Sequence, residues 1–212
     1  MTSHNLLKPL FDKLVIASNN RKKCKEIETI LGALGMHVVP AEQTIFVDVV
    51  EDGETFAENA KKKAEAFMRA NNTAALADDS GLCVTALNDA PGVYSARFAG
   101  DSATDADNNI KLLAKLNDLN DRSAHFICAL HVSTPEGIHY RSEGRVEGHI
   151  LNDLTGDTGF GYDPLFFSPE LNKTFAQASS EEKASVSHRG RALRSLKQRI
   201  LTSKALTSVN RF

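Results

Sequence analysis

Ala74-Ala75-Leu76-Ala77-Asp78-Asp79-Ser80-Gly81, continued by Leu82-Cys83-Val84-Thr85-Ala86-Leu87, is the stretch on which the fold turns. Ala74 to Ala77 form a short, uninterrupted apolar run and read as a buried strand. Leu82 to Leu87 read as another strand, with Asp78 to Gly81 between the two. Adjacent acids at the C-terminal end of a strand sit where open α/β sheets place ligands. Successive strand residues face opposite sides of a sheet. One carboxylate can therefore meet a metal or a water while its neighbour orients another group. Asp-Asp-Ser-Gly is also good turn chemistry, and a plain acidic turn is the competing reading.

Upstream, Lys13 to Ala17 are a strand feeding the loop Ser18-Asn19-Asn20. A helix follows, with Cys24, Ile27, Leu31 and Leu34 on one face and Gly35 as its stop. His37 to Val39 read as a second strand. Thr55 and Glu58 make a capping box that opens a helix to about Asn71. Downstream, residues 88–102 read as loop, and Thr104 caps a helix through about Leu116. Ala124 to Ser133 and Ile138 to Val146 are strands joined by Pro135-Glu136-Gly137. Residues 155–164 are glycine-rich, and a helical pattern runs from Ser187 to about Leu201. The order predicts an α/β fold, a mixed sheet with helices packed against it. Residues 1–12 are an N-terminal extension, 13–203 a single domain and 204–212 a C-terminal tail.

The chain has 212 residues and a net charge of -2, without the basic footprint of a nucleic-acid binder. No apolar run approaches membrane-spanning length. Cys24, Cys83 and Cys128 lie far apart with no CxxC spacing, so neither disulfides nor a zinc site is indicated. Reduced thiols in a cytoplasmic protein are expected.

Two cations break their helical patterns. Phe56, Ala60, Ala64 and Phe67 make an apolar stripe, and Lys63 lies inside it with Asn59 one turn earlier. Such a lysine snorkels, pairs with a carboxylate, or meets an anionic ligand. Methionine would fit the stripe, so Lys63→Met is expected to keep the fold. Arg189 shares a face with Leu193, Leu196 and Ile200, in the first turn after Ser187. A helix start and a guanidinium suit an anion; an arginine bonded to backbone carbonyls is the plainer reading. Ser18-Asn19-Asn20-Arg21-Lys22-Lys23 offers a hydroxyl, amides and cations where a phosphate would bind, although it lacks the glycines of a P-loop. Phe160-Gly161-Tyr162-Asp163 offers aromatics that can stack on a base and a carboxylate that can pair with it; a core-packed hairpin is the alternative.

In order, Ser18-x-Asn20-x-x-Lys23, Thr55-Phe56-x-Glu58-Asn59-Ala60-x-x-Lys63-Ala64, Ala77-Asp78-Asp79-Ser80-Gly81-Leu82, Pro91-Gly92-Val93-Tyr94-Ser95-Ala96-Arg97, Gly159-Phe160-Gly161-Tyr162-Asp163-Pro164 and Ser187-His188-Arg189-Gly190 resemble the inosine triphosphate pyrophosphatase family. The resemblance covers about Leu14 to Ile200 and looks like the bacterial branch. It implies a long, twisted mixed sheet, two lobes around a cleft, a homodimer and a small nucleotide substrate. It implies hydrolysis of inosine, deoxyinosine and xanthosine triphosphates to the monophosphate and pyrophosphate, with magnesium. Ser18 to Lys23 and Lys63 would contact the triphosphate. Glu51 and Asp79 would hold or approach magnesium, with Asp79 as proton acceptor and Asp78 beside it. Ser80, Phe160, Gly161, Tyr162, Asp163, Lys183, His188 and Arg189 would form the nucleotide site. For such a substrate, Arg189 and His188, at a helix start that favours negative charge, are the candidate donors to the base's O6. A Maf-like pyrophosphatase and a non-catalytic nucleotide sensor are the rival readings.

Overall fold

The computed structural model describes residues 11, 13–39 and 43–209, with side chains as far as Ser203. The Ala74 stretch does not break at its acids. Strand β2 runs unbroken over Ala74–Val84, between β1 (Leu14–Ala17), parallel to it, and β3 (Ser123–Ser133), antiparallel. The ladder passes straight through Asp78↔Leu130, Asp79↔Ala129 and Ser80↔Cys128. Turn propensity loses here because β3 offers a ladder partner to every backbone group that a turn would leave buried and unpaired. The chain bends only after Val84, into a 3₁₀ turn at Thr85–Leu87, so the strand expected over 82–87 ends early.

Strands β4 (His139–Ile150), β5 (Phe166–Ser168) and β6 (Lys173–Thr174) complete a six-stranded sheet in sequential order. Among the described residues β1–β2 is its only parallel pair, so the sheet is mixed, as expected. The hairpin turn falls at Gly137, whose φ of +77° suits glycine. His37 to Val39 form no strand. One backbone bond, Val39 N–H to the Leu14 carbonyl at 2.8 Å, lays the segment beside β1 without a ladder.

Helices α1 (Arg21–Ala33), α2 (Phe56–Asn71) and α3 (Asp105–Leu116) start one residue after Asn20, Thr55 and Thr104, whose side chains cap them. A short helix α4 (Ser180–Val186), unread in the sequence, precedes α5 (His188–Val209). Ser187 caps α5 by accepting from Gly190 N–H at 3.1 Å. The backbone of α5 continues past Leu201 into the segment taken as a tail. Residues 210–212 and, Phe11 apart, the N-terminal extension lie outside the described residues.

The even-numbered side chains of β2 carry the plan. Leu76 joins Leu130 and Val132 in a core closed by Ile27 and Leu31 of α1 and Leu193 and Leu196 of α5. Leu82 and Val84 join Phe126 in a second core with Leu112 and Leu116 of α3 and with Phe166 and Phe175. Between these lobes, on the same face of β2, stand Asp78 and Ser80. The opposite face packs Ala75 and Ala77 under Ala64 and Phe67 of α2. The two lobes thus share the long strands, and the cleft between them opens at the polar centre of β2. Among the described residues no helix is long and apolar enough to cross a membrane.

Gly81 shows how tightly the cleft wall is fitted. A Cβ there would lie 2.4 Å from both the Gly92 carbonyl and Ser95 Oγ. Ser95 Oγ accepts from Leu82 N–H and donates to the Gly92 carbonyl, pinning the turn Gly92–Arg97 to the strand. Gly81→Ala is expected to push this turn away at a cost of about 1–3 kcal/mol. Urea unfolding measures it, and an unchanged midpoint would show that the turn yields freely.

Candidate active site

Asp78 and Asp79 point to opposite faces and live in different electrical worlds. Asp78 is fully buried. Its Oδ2 accepts from Arg189 Nε at 3.0 Å and from the Cys128 thiol at 2.9 Å. Its Oδ1 lies 3.1 Å from Lys23 Nζ and accepts from Ser80 Oγ at 3.3 Å. Burial alone would raise its pKa; the Arg189 and Lys23 charges outweigh that and hold the carboxyl well below the usual range. Asp78 is bonded at both oxygens, which suits an anchor.

Asp79 Oδ2 accepts from Asn59 Nδ2 at 3.1 Å, and its Oδ1 lies 3.6 Å from Lys63 Nζ. Burial raises its pKa, Lys63 and Lys23 pull it back, and Glu51 and Asp78 push it up, leaving it at about 6. Two adjacent carboxyls driven apart in this way are assigned different work. Asp79 is the one able to take a proton near neutrality.

Lys63 resolves as an ion pair that also faces a cavity. Its Nζ donates to Glu51 Oε2 at 2.7 Å and sits beside Asp79. Arg97 Nη2 donates to the Glu51 carbonyl at 3.1 Å and fixes that loop. The chamber here measures about 420 Å³ and is walled by Ser18, Asn19, Asn20, Lys23, Glu51, Lys63 and Asp79, among others. Glu51 and Asp79 are hard oxygen donors converging on one ammonium, the donor chemistry that a magnesium ion takes.

Asn20, Lys23, Ser80 and Ala96 also wall a smaller inner cavity, with Asp105, Phe160 to Asp163, Lys183, His188 and Arg189. Phe160 and Lys183 pass in turn into an outer cavity of about 450 Å³ beside α1. Neighbouring cavities thus share walls along the cleft. The segment Ser18 to Lys23, expected to contact phosphate, is only partly gathered there. Asn20 spends its side-chain oxygen capping Lys22 and Lys23 N–H. Lys22 bridges the cleft mouth to Asp105 at 3.0 Å. Arg21 is exposed and walls none of these cavities.

At the other end, Tyr162 corrects the stacking expectation. Its ring is buried in the α3 core and its hydroxyl donates to the Ser95 carbonyl at 2.9 Å, so it is a strut. Phe160 keeps a partly exposed ring, with Lys183 Nζ 4.8 Å from its centroid. Asp163 is buried and accepts from Lys183 Nζ at 2.7 Å and Phe160 N–H at 2.9 Å. Burial raises its pKa, against the pull of Lys183. Gly161 N–H donates to Asp105. Arg189, expected as a donor to the base's O6 with backbone carbonyls as the plainer alternative, instead spends its guanidinium on two carboxylates and a hydroxyl: besides Asp78, Nη1 donates to Glu26 at 2.6 Å and Nη2 to Ser80 Oγ at 2.9 Å. His188 stacks on Phe126 with ring centroids 4.8 Å apart and keeps a buried Nδ1 without a partner among the described residues. Burial, with Arg189 and Lys183 beside it, holds its imidazole neutral.

Glu26 was missed. It joins Arg189 to Lys183, two cations that both wall the inner cavity. In the run Lys22-Lys23-Cys24-Lys25-Glu26 it reads as one more solvated charge, and no spacing rule reaches partners on α4 and α5. Asn59, noted only as the neighbour of Lys63, proves to be the donor that orients Asp79.

The sequence model of the Ham1 family matches residues 14–199. The chain belongs to the Ham1 family. It is 50% identical over 185 residues to a dITP/XTP pyrophosphatase of Desulforamulus reducens, covering 86% of this chain and 92% of that one. It is 46% identical over 197 residues to a dITP/XTP pyrophosphatase of Clostridium perfringens, covering 89% and 97%. The Ham1 protein of Staphylococcus aureus superposes with a TM-score of 0.79 at 44% identity, over 91% of this chain and 99% of the other. A nucleoside-triphosphatase / dITP/XTP pyrophosphatase of Mycobacterium abscessus gives 0.68 at 42% identity, over 87% and 97%. The fold and family expected from the six motifs are borne out.

Proposed function

We propose that this Ham1-family chain hydrolyses deaminated purine nucleoside triphosphates, those of inosine, deoxyinosine and xanthosine, to the monophosphate and pyrophosphate. One water enters, and one nucleoside monophosphate, one pyrophosphate and a proton leave. The observation that carries this reading is the split pair Asp78/Asp79, with Asp79 on the wall of the Lys63 chamber and the next residue, Ser80, on the walls of both that chamber and the inner cavity, in a chain whose relatives bear the name dITP/XTP pyrophosphatase. The triphosphate occupies the chamber of Ser18, Asn19, Lys23 and Lys63. The base extends past Ser80 towards His188, Lys183 and Phe160. Asp79 takes the proton of the attacking water, and Asp78 holds Lys23 and Arg189 in place. Positioning and charge stabilisation supply most of the rate, as is general for phosphoryl chemistry. Glu51 and Asp79 would hold magnesium, which screens phosphate charge when bound. A homodimer working in the cytoplasm is carried over from the family, and light scattering tests the dimer.

Rates on a panel of common and deaminated triphosphates, with and without magnesium, test this function. Inosine and xanthosine triphosphates should far outrun adenosine triphosphate, and equal rates would refute it. His188→Phe tests base choice. The phenyl ring keeps the stack on Phe126 and loses the free nitrogen, so kcat/KM for inosine triphosphate should fall about tenfold or more while adenosine triphosphate is little affected. An equal loss on both would remove His188 from base recognition.

A further inference from the structure

On the face of β2 turned away from the two lobes, beyond the α2 contact, Cys83 stands directly opposite His125 of β3 in the ladder. Both are more than nine-tenths buried. Among the described residues neither the Cys83 thiol nor the His125 ring makes a hydrogen bond, whereas Cys24 and Cys128 both donate theirs. After Val84 the chain folds back, and Asn88 and Asp89 both adopt left-handed backbone, with φ of +52° and +61°. Asp89 N–H donates to the Val84 carbonyl at 3.1 Å, which brings its carboxylate over the pair. One ligand atom each of Cys83, Asp89 and His125 then lies within 4.8 Å of the others.

We propose that Cys83, His125 and Asp89 form a site for a borderline divalent transition-metal ion of the zinc class, separate from the cleft. Sulfur, imidazole nitrogen and carboxylate oxygen are the mixed donor set that such ions take and magnesium does not. Ligand atoms around a tetrahedral zinc stand roughly 3.3–3.8 Å apart, given bonds of about 2.0–2.3 Å. A separation at the 4.8 Å limit would close by about an ångström on binding, and Asp89, on an exposed turn, is the ligand free to move. Two further charges face the site from β4, Arg145 and Glu147, and they pair with each other. Cys83 and Asp89 meet through the turn after Val84, but His125 lies far from both in sequence and joins them only through strand register, which is why the cysteine spacing pointed to no zinc. A bound ion would brace the turn 85–90, which leads into Gly92–Arg97 and so to Ser95 and Ala96 on the wall of the inner cavity.

Cobalt(II) titration of the full chain, stripped of metal and held in excess magnesium, tests the proposal. A thiolate-to-cobalt absorption band saturating at one equivalent is expected. It should vanish in Cys83→Ser and persist in Cys24→Ser. His125→Ala and Asp89→Asn should each weaken binding about tenfold or more. Asp89 is exposed, so its variant remains folded and informative even if a change at the buried positions is not tolerated. Zinc should raise the melting temperature of the parent chain and not of Cys83→Ser. No thiolate band in the parent, a band surviving Cys83→Ser, or undiminished binding by Asp89→Asn would overturn the site as drawn.

Discussion

Asp79→Asn will silence turnover and, at pH 7, will melt at a higher temperature than the parent chain. Asp79 is buried, and its carboxyl sits at about 6 instead of 3.8, so ionising it works against the fold. The sign follows from linkage. A carboxyl with a raised folded pKa contributes stability that is present below its unfolded value and is lost as pH rises through the folded one. At pH 7 that loss is complete, on the order of 3 kcal/mol at most. Asparagine carries no charge at any pH and escapes it. The gap in melting temperature should therefore narrow as pH falls from about 6 towards 4. Turnover should fall about 10²–10⁴-fold, because the amide accepts no proton and offers magnesium no charge. Calorimetric titration with nucleotide should still register binding. Melting curves at three pH values beside single-turnover rates check both halves. A variant less stable at pH 7, or one that retains turnover, would move the base elsewhere.

Lys63→Met should be the other large effect, and the structure alters what its sequence position led one to expect. An apolar stripe accommodates methionine, which argues for unchanged stability. The Nζ, however, is the nearest cation to Asp79 and bonds Glu51. Without it, Asp79 titrates above its present value of about 6, since Lys63 is the main charge drawing that value down. Activity should fall about 10²–10³-fold at pH 7, as when one fixed electrostatic donor is removed from a transition state. The acid limb of kcat/KM should also shift to higher pH. Stability should hold near pH 5, where Asp79 is protonated, and drop by pH 8, where it is ionised without its partner. An unshifted acid limb would uncouple Lys63 from Asp79.

The helices were legible because their starts are local events: Asn20, Thr55 and Thr104 cap as their chemistry dictates. The oddities of Lys63 and Arg189 were legible because a charge on an apolar face needs a partner wherever it is. What escaped depended on pairing at a distance. The Asp-Asp-Ser-Gly segment has turn chemistry, and only β3 alongside keeps it extended. Tyr162 looked free to stack, and only its bond to Ser95 shows that it is spent. Glu26 and the pair Cys83/His125 carry no local signal, because their partners lie on other elements. The six ordered motifs carried the family, since together they span both lobes.

Release of pyrophosphate in the proposed reaction requires water to attack the α-phosphorus. Hydrolysis of deoxyinosine triphosphate in ¹⁸O-labelled water, with products read by phosphorus NMR and mass spectrometry, tests it most directly. Deoxyinosine monophosphate carrying one labelled oxygen, beside unlabelled pyrophosphate, is the expected result. Label in the pyrophosphate, or deoxyinosine diphosphate with orthophosphate as first products, would contradict it.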